Sequence, residues 1–108
     1  GMKWSDIGVQ WTLAQAYLYS KDAGNELPNF AEVIWDEDIE TILADCRRLG
    51  VKEFTISSTF SSLIETIARF EDLGCTLDGI VRVKERCTHF GSDEHALIPA
   101  FKMTVKEA

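Results

Sequence analysis

Apolar residues recur at helical spacing in three stretches of the chain and at alternate positions near its end, a pattern that predicts helices interleaved with strands. Ser5 suits a helix cap and Asp6 would sit at the positive helix end. From there Trp4, Ile7, Trp11, Ala14 and Leu18 fall on one stripe, so the spacing predicts a helix over residues 5 to 20. Val9, Leu13, Ala16 and Tyr17 hint at a second apolar face on the same helix, one that a partner would cover. Residues 20–29 gather turn formers and Pro28 and read as a loop. The apolar run from Phe30 to Trp35 is too short to separate a strand from the approach to a helix.

Asp36 is expected to cap the next helix, whose inward stripe is Ile39, Ile42, Leu43, Cys46 and Leu49. Arg47 and Arg48 suit its negative end and Gly50 its termination. Lys52 to Ser57 reads as a buried strand. A further helix follows, capped by Ser58 or Thr59, with Phe60, Leu63, Ile64, Ile67, Phe70 and Leu73 inward and Gly74 at its end. The pairs Ile39-Glu40-Thr41-Ile42 and Ile64-Glu65-Thr66-Ile67 read either as a weak internal repeat or as helix grammar met twice. Residues 79–87 and 96–105 alternate in period two and predict a C-terminal antiparallel hairpin around a loop from Thr88 to His95. Pro99 lacks a ladder donor and predicts that the last strand is an edge or bulged.

The expected fold class is α/β, with α+β as the alternative: a mixed sheet of about three to four strands, parallel β-α-β units, the C-terminal hairpin and an extra N-terminal helix. With 108 residues and 45% hydrophobic content, residues 1–108 are expected to form one domain around one core. Gly1 ahead of Met2 reads as a cloning remnant, and no secretory leader or bilayer-length apolar run is present, so a cytoplasmic protein with no membrane role is expected. Cys46, Cys75 and Cys87 are odd in number and lack a CxxC spacing, which predicts reduced, structural thiols.

Net charge is −7, which argues against a general nucleic-acid binder. The charge is uneven: residues 1–78 carry six basic and fourteen acidic side chains, while residues 79–108 carry five and four. A local basic patch therefore stays possible, and Arg82, Lys84 and Arg86 alternate so as to share a strand face, joined by Lys102 and Lys106 from its partner. They are candidates for nucleic-acid or phosphate contact, set against the plainer reading of a solvated face.

Asp36 and Asp38 form a DxD after an apolar run and are candidate Mg²⁺ ligands, with Ser57-Ser58-Thr59 nearby by position. Together they resemble the opening motifs of haloacid-dehalogenase-type phosphotransferases, but the later lysine and further acidic pair of that family are not recognisable here. Carboxylates at a helix start also follow from the macrodipole alone. Ser57, Ser58, Thr59 and Ser61 crowd a strand-to-helix turn, a candidate anion cradle that lacks the glycine and lysine of a P-loop. Plain capping explains those hydroxyls as well. His89 and His95 flank a turn with no zinc spacing. No cofactor is implied and no nucleophile set is complete.

Glu32-Val33-Ile34-Trp35-Asp36, Phe54-Thr55-Ile56-Ser57-Ser58-Thr59-Phe60 and Ile98-Pro99-Ala100-Phe101-Lys102-Met103 resemble a domain of unknown function found in small proteins of gut Firmicutes, carried on integrative and conjugative elements. The resemblance implies bacterial cytoplasm and a mobile-element setting, and it assigns no catalytic residue. The leading expectation is a non-enzymatic accessory or interaction module that self-associates as a homodimer, because the aromatic first helix and the incomplete catalytic sets favour contact over chemistry. The alternatives are a small phosphate- or nucleotide-binding domain at Ser57–Ser62 and nucleic-acid contact through Arg82, Lys84 and Arg86.

Overall fold

A computed structural model describes residues 8–88 and 94–107. Its elements in chain order are α1 (Trp11–Ala23), β1 (Asn29–Phe30), α2 (Asp36–Leu49), β2 (Glu53–Ile56), α3 (Leu63–Asp72), β3 (Cys75–Thr88) and β4 (His95–Val105). The strands form one mixed sheet in the order β1-β2-β4-β3, so the fold is α+β, the alternative named above. The expected cap Ser5, with Trp4 and Ile7, and most of the hairpin loop, including His89, lie outside the described residues.

Helix α2 forms as its stripe predicts. Ile39, Ile42, Leu43 and Cys46 are buried, and Gly50 closes the helix in the left-handed region at φ 74°, where a side chain would be strained. The cap is one residue earlier than expected: Trp35 holds that position with extended backbone and offers no side-chain acceptor, and the Asp38 N–H donates to the Trp35 carbonyl at 2.9 Å. Helix α3 begins later than Ser58 or Thr59. The backbone N–H groups of Ser57 and Ser58 both donate to the Phe30 carbonyl, at 2.9 and 3.3 Å, which keeps this segment tied to β1 and postpones the helix until after Ser62. Ile64 consequently faces solvent, and Thr66 takes a buried place instead.

The unit β1-α2-β2 pairs in parallel as expected, with Asn29 opposite Thr55 and Phe30 opposite Ile56. The second unit, β2-α3-β3, does not pair directly, because β4 lies antiparallel between its two strands. Pro99 therefore does not mark an edge strand. Lys84, opposite Leu97, turns both backbone polar groups outward to the Asn25 side chain at 2.8 and 2.9 Å. Two positions along, the Arg82–Pro99 pair repeats that phase, so the proline nitrogen faces away from β3, on the side where β2 has already ended at Ile56. The irregularity falls in β3 instead, where Asp78 is extra between the pairs Leu77–Met103 and Gly79–Lys102 and Gly79 takes φ 119°.

Phe54 lies at the centre of the interior, with its ring 5.3 Å from that of Phe30 and 5.1 Å from that of Phe70. Ile56, Met103 and Val105 from the sheet, the α2 stripe, Ile67 of α3 and Leu13 and Ala16 of α1 join it in one buried cluster. Each large apolar side chain so buried contributes about 1.5–3 kcal/mol. Arg47 ties the layers at one end, donating through Nε to the Lys106 carbonyl at 3.0 Å and through Nη2 to the Leu73 carbonyl at 2.8 Å. Cys46 and Cys75 are buried, and burial pushes their thiols up to about 12 and about 11, which keeps them protonated and unreactive; Cys87 is exposed.

Candidate functional site

Helix α1 does not bury the stripe containing Trp11 and Leu18. It buries Leu13, Ala16, Ser20 and Ala23, the face carrying the second set of apolar positions. Its start is anchored by a feature the sequence hides: the Gln10 N–H donates to Oδ2 of Asp45 on α2 at 2.7 Å, and Arg48 holds the other oxygen of that buried carboxylate at 2.9 Å. The Gln10 side chain then caps α1 by accepting from the Leu13 N–H at 3.0 Å. With Leu13 fixed inward, Trp11 points out and is 72% exposed.

A second exposed tryptophan comes from the extended link between β1 and α2. Extended backbone alternates its side chains, so Ile34 goes inward while Val33 and Trp35 turn out, the latter 63% exposed. Trp11, Gln15 and Tyr19 of α1, with Glu32, Val33 and Trp35 of the link, Asp38 of α2 and Arg86 of β3, enclose an open groove of about 570 Å³. Arg86 is already engaged there. Its guanidinium lies 3.4 Å from the Tyr19 ring centroid and 3.8 Å from the Glu32 carboxylate, a cation held between an aromatic face and an acid. The remaining rim is acidic, with Asp38 in the groove and Asp36 and Glu37 exposed on the same first turn of α2.

The sequence-predicted site residues separate. Asp38 lies in this groove, whereas Ser58 lines a different cavity, beside Ile56 and Phe101. The Ser57 hydroxyl accepts from Asn29 Nδ2 at 2.9 Å, Ser58 is buried, and Thr59, Ser61 and Ser62 are exposed. Among the described residues no group of three or more His, Cys, Asp and Glu side chains is placed to hold a metal ion. The basic residues also part company: Arg86 turns to Tyr19 and Glu32, while Lys84 runs along the end of α1 beside Gly24. Lys102 pairs with Glu53 at 2.6 Å, and that carboxylate holds its ammonium above the usual lysine range. His95 is in β4, its Nδ1 2.6 Å from the Glu85 carbonyl.

Sequence reasoning missed Asp45 and the role of Arg86. Asp45 sits within a run of charged and apolar helix residues that looks solvent-facing by type, and only the position of Gln10 reveals its use. Among the described residues no helix is long and apolar enough to cross a membrane. No curated protein and no solved structure matches the chain. Residues 12–105, which include every element described above save the first residue of α1, match the domain of unknown function DUF7698, and the chain belongs to that family.

Proposed function

We propose that the protein is a non-enzymatic interaction module whose α1/α2 groove grips a positively charged segment of a partner protein. The observation that carries this reading is the pair of exposed tryptophans, Trp11 and Trp35, on one groove that already holds a guanidinium against Tyr19 and Glu32. Tryptophan is the residue most costly to leave in water at such exposure and the one most enriched at the energetic centres of interfaces. Acid and aromatic faces together select cations, and the net charge of −7 draws basic partners from a distance. Such a module fits an accessory protein of a bacterial mobile element working in the cytoplasm, the setting that the sequence resemblance implies.

A homodimer formed through the same groove would bring two acidic rims face to face, which favours a basic partner over a second copy. Titration with an arginine-rich peptide, followed by tryptophan fluorescence, tests the reading. Saturable binding that weakens at least tenfold in Trp11→Ala or Trp35→Ala and falls with added salt supports it. Binding that both variants retain in full would show mere charge attraction and overturn it, as would a dimer seen by light scattering that the same substitutions dissolve.

A further inference from the structure

A row of side chains crosses the sheet from Ile56 of β2 through Phe101 of β4 to Ile80 of β3, each directly opposite the next. Exposure climbs along it: Ile56 is 1% exposed, Phe101 is half-buried, and Ile80 is 67% exposed. The inner part belongs to the core. The outer part borders a cavity of about 220 Å³ lined by Ile56, Ser58, Ile80, Pro99, Ala100 and Phe101, none of which carries a charge. It shares no residue with the tryptophan groove.

Ser58 is the polar member of that lining, 92% buried by its 8% exposure, and its hydroxyl has no hydrogen-bond partner. An unpaired buried hydroxyl costs about 1–3 kcal/mol, so its retention in an otherwise apolar wall calls for something to pair with it. The wall is also held in place beforehand. The Ser57 and Ser58 N–H groups share the Phe30 carbonyl, and the Ser57 hydroxyl is bonded by Asn29 Nδ2, so the segment cannot readily turn Ser58 toward another acceptor.

We infer that this cavity binds a small uncharged molecule with an apolar body of about one ring and a single hydrogen-bonding group that pairs with the Ser58 hydroxyl. A dry apolar cavity of about 150 Å³ suffices for benzene, so the space fits a ring with one substituent. The lining fixes the rest. A charged ligand would lose its hydration with no counter-charge to replace it. A purely apolar one would leave Ser58 unsatisfied, whereas a hydroxyl or carbonyl pairs with it, since serine both donates and accepts.

Benzyl alcohol, toluene and benzoate are the probes, titrated into the full chain and followed by NMR at Ile56, Ile80 and Phe101. Benzyl alcohol is expected to give saturable shifts at these residues with a dissociation constant of about 1 mM, benzoate none. Ser58→Ala should weaken benzyl alcohol about fivefold and leave toluene unchanged or slightly tighter. Ile80→Lys, at the exposed rim where folding is not at stake, should weaken both apolar probes. Absence of saturable shifts in the unaltered chain overturns the inference, and so does benzyl alcohol binding that Ser58→Ala leaves unchanged. Shifts at Ile80 that follow protein concentration without any probe would also overturn it, by assigning the surface to a second copy.

Discussion

Helices α1 and α2 both carry apolar residues at helical spacing, yet they are used in opposite ways. In α2 the apolar positions form one stripe against a polar remainder, and that whole stripe is buried. In α1 they are spread around the helix, and the interior takes the smaller set, Leu13, Ala16 and Ala23, leaving Trp11 and Leu18 outside. A one-sided helix has a single way to lie on a core. A helix apolar on two sides is oriented by its anchors, here the Gln10–Asp45 bond, and its spare face becomes surface for contact.

The comparison breaks first at α1 itself. Leu13→Ala should cost about 2–5 kcal/mol in urea unfolding, while Trp11→Ala, though it removes a larger side chain, should stay within about 0.5 kcal/mol. Equal costs would mean that the tryptophan is structural and that the groove is part of the core. Asp45→Ala should cost about 1–3 kcal/mol, because it strands the Gln10 N–H, and should raise amide exchange at the start of α1 while leaving the middle of α2 protected. Gly79→Ala, which forces a side chain into φ 119° beside the β3 bulge, should cost about 1 kcal/mol and be felt in β3 and β4 rather than in either helix.

The smallest effect is the one with pH. Cys46 and Cys75 have thiols raised from 9.0 to about 12 and about 11 in the folded chain, so the folded state keeps protons that the unfolded state releases. Stability from this source is complete below pH 9 and declines as pH rises toward 12. Thermal unfolding across that window should show the decline, and it should shrink in Cys46→Ala once the lower starting stability is subtracted. A thiol reagent at neutral pH should label Cys87 and spare the other two.

Most of the framework was legible in the sequence because it rests on local periodicity. The α2 stripe, the Gly50 terminator and the alternation of β3 and β4 each follow from neighbours a few positions apart. What escaped depends on distant pairs. Pro99 marks an edge by local rules, but β2 stops at Ile56 and leaves room for it in an interior strand. The caps at Asp36 and Ser58 fail for a similar reason, since Trp35 and the Phe30 carbonyl set where each helix can begin. The aromatic groove was half visible: the wealth of aromatics pointed to a contact surface, while its partnership of Trp11 with Trp35 and Arg86 needed three separate elements to meet.

The insertion of β4 between β2 and β3 gives this small sheet an order of assembly. While the chain is being synthesised, β2 emerges with only the two residues of β1 beside it and β3 with no neighbour at all. Both wait for the strand that joins them. Until Phe101, Met103 and Val105 leave the ribosome, Phe54 and Cys75 have nothing on one flank, and the nascent chain offers bare ladder edges that a chaperone would recognise.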